Sequence, residues 1–103
     1  MDKQKRERLE KAGWRVGSVD EFLGLTPEES AYIDLRISLG DAVRNLRKEQ
    51  KVTQEQLAAR MGSSQSRLAK AEAADASVSL DLLIRTYLAL GATRQDLAKA
   101  ISG

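Results

Sequence analysis

Helix start and stop signals divide this chain before any hydrophobic pattern is counted. Thr53 with Gln56 forms a capping box, and Gly62 supplies the matching stop. Ser79 opens a second segment that Gly91 closes, and Thr93 with Asp96 opens a last short one. Upstream, Thr26-Pro27-Glu28-Glu29 combines an N-cap, a proline at the first helical position and acids in the first turn. Helices this short are marginal in isolation, so they must bury their inward faces against one another. No stretch alternates with period two for long enough to suggest a sheet, and there is no internal repeat. The expected fold is therefore all-α: a compact five-helix bundle over residues 26–103, preceded by an arm and short helical segment over residues 1–25. Within that extension, Ser18 and Glu21 form a further capping box, with Gly24 as its close.

The apolar positions predict what each helix buries. After Thr26 they recur at Tyr32, Leu35, Leu39, Ala42, Val43 and Leu46, with Ile33 and Ile37 off this stripe. Gly40 lies within that helix and weakens it by about 1 kcal/mol relative to alanine without breaking it. Leu57, Ala58 and Met61 point inward from the next helix, with Val52 and Leu57 as a hydrophobic staple. The helix capped by Ser79 is expected to bury Leu80, Leu83, Ile84, Tyr87 and Leu88, with Val78 and Leu83 as its staple. The last helix carries Leu97, Ala98 and Ile101.

Composition then excludes whole classes of function. The chain has no cysteine and no histidine, which removes disulfides, Cys/His zinc sites and Cys- or Ser–His nucleophiles. Its acids stand mostly at helix starts or on polar faces, where capping and solvation account for them. Neither an enzyme nor a cofactor or metal site is expected. No apolar run reaches eighteen residues and no apolar leader opens the chain, so a cytoplasmic protein away from membranes is expected.

The formal net charge of +2 hides a division. Residues 13–35 set Arg15 against Asp20, Glu21, Glu28, Glu29 and Asp34, a net −4. Residues 36–72 carry eight Lys/Arg against Asp41, Glu49, Glu55 and Glu72, a net +4. The positive potential centres on "GSSQSRLAK", residues 62–70, whose one large apolar side chain is Leu68. At 100° per residue from Leu68, Ser66 and Lys70 point away from the core. Arg67 and Ala69 lie on the flanks, and Gln65 projects from the helix end. Ser63 is expected to serve as a cap. Gln can pair with adenine N6/N7, Arg or Lys with guanine or phosphate, and Ser with either base type or phosphate. A free helix N-terminus adds N–H donors and a positive dipole end.

Residues 53–72, "TQEQLAARMGSSQSRLAKAE", resemble the helix-turn-helix of the Cro/phage-repressor (XRE) class, whose pattern is close to "TQxxLAxxxGxSQxxLxxxE". The likeness covers Thr53, Gln54, Leu57, Ala58, Gly62, Ser64, Gln65, Leu68 and Glu72. It implies a homodimer on the major groove of palindromic double-stranded DNA. By the same resemblance Gln65, Ser66 and Lys70 would read bases. Gln54, Ser64 and Arg67 would position the protein on phosphate, with Gln54 also buttressing Gln65 and a base edge also within reach of Arg67. Arg47 and Glu72 would form a buried structural ion pair. Where many members turn on Asn-Gly, this chain has Ala73-Ala74-Asp75.

The tract from Trp14 to Val43, with "DEFLGLTPEE" and later "SLDLLIRTYLALGA", resembles small HigA-type antitoxins encoded beside RelE-like toxins. That likeness implies a basic ribonuclease toxin as partner, met by an acidic segment bearing Trp14, Phe22 and Leu23 together with Ile33 and Ile37. The same five residues have a second role open to them, packing together to finish the core. Three functions stay open at this stage: a repressor that also neutralises a toxin, a stand-alone regulator, and a helical adaptor without DNA binding.

Overall fold

The computed structural model describes residues 26–102, together with Gln4 and Glu7. These residues hold five helices in the order α1 (Pro27–Glu49), α2 (Gln54–Met61), α3 (Gln65–Glu72), α4 (Leu80–Ala89) and α5 (Arg94–Ser102), and no strand. The all-α expectation holds over this span. The helix expected from Ser18 to Gly24 lies outside the described residues, as do Trp14, Phe22 and Leu23.

Every one of the five helices starts at a side-chain cap. Thr26 accepts from the Glu29 N–H at 3.1 Å and Ser79 from the Leu82 N–H at 3.2 Å. Thr53 and Gln56 exchange bonds of 3.0 and 2.9 Å, and Thr93 and Asp96 exchange bonds of 3.1 and 2.8 Å. Ser64 caps α3 by accepting from the Arg67 N–H at 3.1 Å. The capping role expected for Ser63 is thus corrected. Its N–H instead donates to Ala58 O at 2.8 Å, which closes α2 before α3 begins.

The helix ends share one device. After α1, Lys51 N–H donates to Lys48 O at 3.0 Å and Val52 N–H to Arg47 O at 3.1 Å, the paired bonds of a Schellman end. The same pair closes α3, from Ala74 to Ala71 O at 3.1 Å and from Asp75 to Lys70 O at 2.9 Å. The turning residue is left-handed in both, with φ 59° at Lys51 and φ 57° at Ala74. An L-residue there costs about 1–2 kcal/mol. At the ends of α2 and α4 the left-handed position is a glycine, as the sequence predicts.

Leu39 and Val43 of α1, Leu57 of α2, Leu68 of α3 and Leu83 of α4 are fully buried in one cluster. Ala58, Ala71, Val78, Tyr87 and Leu90 complete it, and α5 lays Leu97 and Ala100 against it. The predicted stripes need correction at their edges. Tyr32, Leu88 and Ile101 are exposed at 42%, 43% and 40%, and Ala98 is exposed as well. In α1 the inward face is Ile33, Arg36, Leu39, Gly40, Val43 and Arg47. Ile33, expected off the stripe, is thus buried where Tyr32 is not, and two arginines take places that an apolar count assigns elsewhere. Arg36 is buried because its guanidinium donates to Asp75 O at 2.8 Å and to Val78 O, carbonyls of the turn between α3 and α4. Its guanidinium also lies 5.7 Å from the Tyr32 ring centroid. Thr86 is buried because its hydroxyl donates to Leu82 O at 2.6 Å, which gives its one polar side-chain atom a partner.

Gly40 has a reason that helix propensity does not supply. A Cβ at this position would stand 2.8 Å from Glu72 O and 3.2 Å from Ala71 O. Only the missing side chain lets α1 pass this close to the end of α3, and so brings Arg47 opposite Glu72.

Candidate nucleic-acid interface

The two short helices present their ends to solvent from a fixed base. α2 buries Leu57 and Ala58, and α3 buries Leu68, Ala71 and Glu72. With those faces held, Ser64, Gln65, Ser66, Arg67 and Lys70 are all exposed. The bundle thereby offers five polar or basic side chains from the cap and first two turns of a single eight-residue helix.

Beneath them runs a chain of polar contacts. Arg47 Nε donates to Glu72 Oε2 at 2.6 Å and Nη2 to Oε1 at 3.0 Å, while Nη1 donates to Val52 O at 3.0 Å. The guanidinium meets the carboxylate side-on, and Glu72 is 3% exposed. Gln54, half-buried at the first position of α2, donates from Nε2 to the same Glu72 Oε1 at 3.1 Å. Gln65, exposed at the first position of α3, donates from Nε2 to Gln54 Oε1 at 2.7 Å. Four side chains from α1, α2 and α3 therefore connect the buried ion pair to the surface.

Two open clefts flank this chain. One, of about 690 Å³, lies where the end of α1 meets the starts of α2 and α3, and includes Lys48, Lys51, Thr53, Gln54 and Gln65. The other, of about 300 Å³, is lined by Ser64, Ser66, Arg67, Lys70, Ser77 and Val78. Both are rimmed by Lys or Arg and hydroxyls, with Glu55 the one carboxylate on the rim of the first, a mainly basic and polar lining that suits phosphate oxygens better than an apolar ligand. Among the described residues no group of His, Cys, Asp or Glu is arranged to hold a metal ion.

The turn after α3 is ordered without an Asn-Gly pair. Asp75 Oδ1 accepts from the Ser77 hydroxyl at 2.6 Å and from the Ser77 N–H at 2.9 Å. Those two bonds, helped by nearby Lys70 and Arg36, hold the Asp75 carboxyl below its ordinary pKa. Ser77 thus stands beside Lys70 in the second cleft, a position that sequence reasoning does not single out. Lys48 and Lys51 were equally unmarked, because they gain their place only when the end of α1 meets α2.

The remaining candidate residues divide. Ile33 is buried at 3% but lies outside the main core cluster, and Ile37 is half-buried. Trp14, Phe22 and Leu23, grouped with them as a partner surface, lie outside the described residues.

A family model described as helix-turn-helix matches residues 43–86, which include all of α2 and α3 and the turn between them. The match supports a DNA-binding transcriptional regulator. Comparisons with curated proteins and with solved structures returned no match.

Proposed function

We propose that this helix-turn-helix is a sequence-specific repressor domain that enters the DNA major groove with the start of α3. The observation that carries the reading is the Gln54–Gln65 pair, exposed at the start of α3 and tied through Glu72 to Arg47. A surface made only for solubility has no use for an amide held this firmly. Gln65, Ser66 and Lys70 contact base edges. Ser64, Arg67 and the second N–H of Gln54 contact phosphate, where they set register. A homodimer on a palindromic operator would space its half-sites by about 34–36 Å or a multiple of it.

The test is fluorescence anisotropy on the chain's own promoter DNA against a scrambled duplex. Gln65→Ala should weaken binding by roughly 1–3 kcal/mol at one base position. Lys70→Ala tests its assignment to bases rather than phosphate. Selectivity should fall at one position, with little of the uniform loss and unit drop in salt slope that mark a phosphate contact. Equal affinity for both duplexes would favour the adaptor alternative.

A second role, as an antitoxin that represses its own operon, is supported by the net −4 of residues 13–35 and by the likeness to HigA-type proteins. A basic RelE-like ribonuclease encoded alongside should then co-purify with the chain and be released when residues 1–25 are removed. Separate elution of the two full-length proteins would leave a stand-alone repressor.

A further inference from the structure

The polar chain beneath the interface has a direction, and the direction has a consequence for base choice. A carboxylate is an acceptor only, whereas a glutamine amide carries one acceptor oxygen and two N–H donors and can turn either end outward. Glu72 closes the inner end of the chain with both oxygens engaged by Arg47. Gln54 can meet it only by donating, which turns Gln54 Oε1 toward α3. Gln65 can meet that oxygen only by donating, so one of its two N–H groups is spent inside the protein. What remains for a base is a single N–H and Oε1, one donor and one acceptor.

Adenine shows the major groove one acceptor, N7, and one donor, N6–H₂, and matches this remainder in both places. Guanine shows two acceptors, N7 and O6. It would need both Gln65 N–H groups, and would leave Oε1 facing another oxygen. We propose that Glu72, acting through Gln54, is a positioning residue that fixes the hydrogen-bond polarity of Gln65 and so makes it select adenine against guanine. The inference rests on Gln65 reading a base, and it adds a role for the buried ion pair beyond stability.

The experiment is selection from a pool of randomised duplexes with the full chain, read as the base frequency in each column. Comparison with Gln65→Ala identifies the column that Gln65 reads, where adenine should exceed guanine by roughly 5- to 150-fold in the unaltered protein. Gln54→Leu removes the intermediate acceptor while the Arg47–Glu72 pair stays intact, so folding is preserved and is verified by thermal melting. With both N–H groups of Gln65 released, the adenine-to-guanine ratio in that column should fall to within about threefold, while columns outside the reach of Gln65 keep their preferences. Glu72→Gln, which retains the shape but permits either amide orientation, should lower the ratio in the same column. A ratio that stays at its original value in Gln54→Leu, in a column that still depends on Gln65, overturns the polarity role alone. A selection in which no column depends on Gln65 overturns the base-reading assignment and the polarity role together.

Discussion

Replacing Glu72 by alanine removes three hydrogen bonds at once, two from Arg47 and one from Gln54. The cost is set by what is left behind. The Arg47 side chain is 11% exposed and keeps its bond to Val52 O at 3.0 Å, so only part of its charge can recover water. Removing one partner of a buried pair typically costs about 3–5 kcal/mol. The remaining carbonyl bond and the slight exposure put this case in the lower half of that range, about 3–4 kcal/mol. Urea denaturation followed by helical circular dichroism should show the transition midpoint falling at nearly constant slope. For a domain of this size each 1 kcal/mol corresponds to roughly 4–8 °C in Tm, so thermal melting should register a loss of at least about 12 °C. Arg47→Met with Glu72→Leu, which removes both charges together, should recover most of the stability. A loss below about 1 kcal/mol for Glu72→Ala would refute the reasoning, because it would mean that the buried guanidinium needs no carboxylate.

Other substitutions separate the contacts from general propensity. Gly40→Ala should destabilise by about 1–3 kcal/mol in the same urea assay, because its Cβ would stand 2.8 Å from Glu72 O, although alanine is the better helix former. Lys51→Gly should stabilise the fold by a net of about 0.5–1 kcal/mol and so raise Tm, since Lys51 is exposed and holds φ 59°. Asp75 and Asp96 are both held below their ordinary pKa, first by the Ser77 hydroxyl and by the Thr93 N–H respectively. A depressed carboxylate contributes stability above its unfolded pKa and loses it as pH falls through the folded value. Tm should therefore be level from about pH 5 to 8, with no histidine in the chain to titrate there, and should fall below about pH 4. Asp75→Asn should flatten part of that acid limb.

How much of this was legible in the sequence follows from the range of the interactions. Caps act across three residues, so Thr26, Thr53, Ser79 and Thr93 announce their helices and the structure starts α1, α2, α4 and α5 immediately after them. Ser63 and Ser64 were harder to tell apart, because the choice turns on how α2 ends as well as on how α3 begins. Arg36 could not be read as buried, since the carbonyls that receive it lie at Asp75 and Val78, about forty positions along the chain. Leu88 and Leu90 are both apolar, and only the close of α4 decides that Leu90 turns inward and Leu88 stays exposed. Gly40 looked like a small helix defect and is instead the point where α1 meets the backbone of α3. For the interface, rotation about α3 from Leu68 gave the outward set, because a single helix fixes those directions. The polar chain from Gln65 to Arg47 joins three helices, and its direction could be followed only in three dimensions.

The central claim is that the start of α3 reads DNA sequence. Its most direct measurement is the ratio of affinities for promoter and scrambled duplexes at one fixed salt concentration, for the unaltered chain and for Gln65→Ala. The account predicts a ratio of at least about 10³ for the unaltered chain. It predicts a fall of roughly 5- to 150-fold on loss of Gln65 with the thermal midpoint unchanged. Equal affinity for the two duplexes, or a ratio that Gln65→Ala leaves untouched, would contradict it.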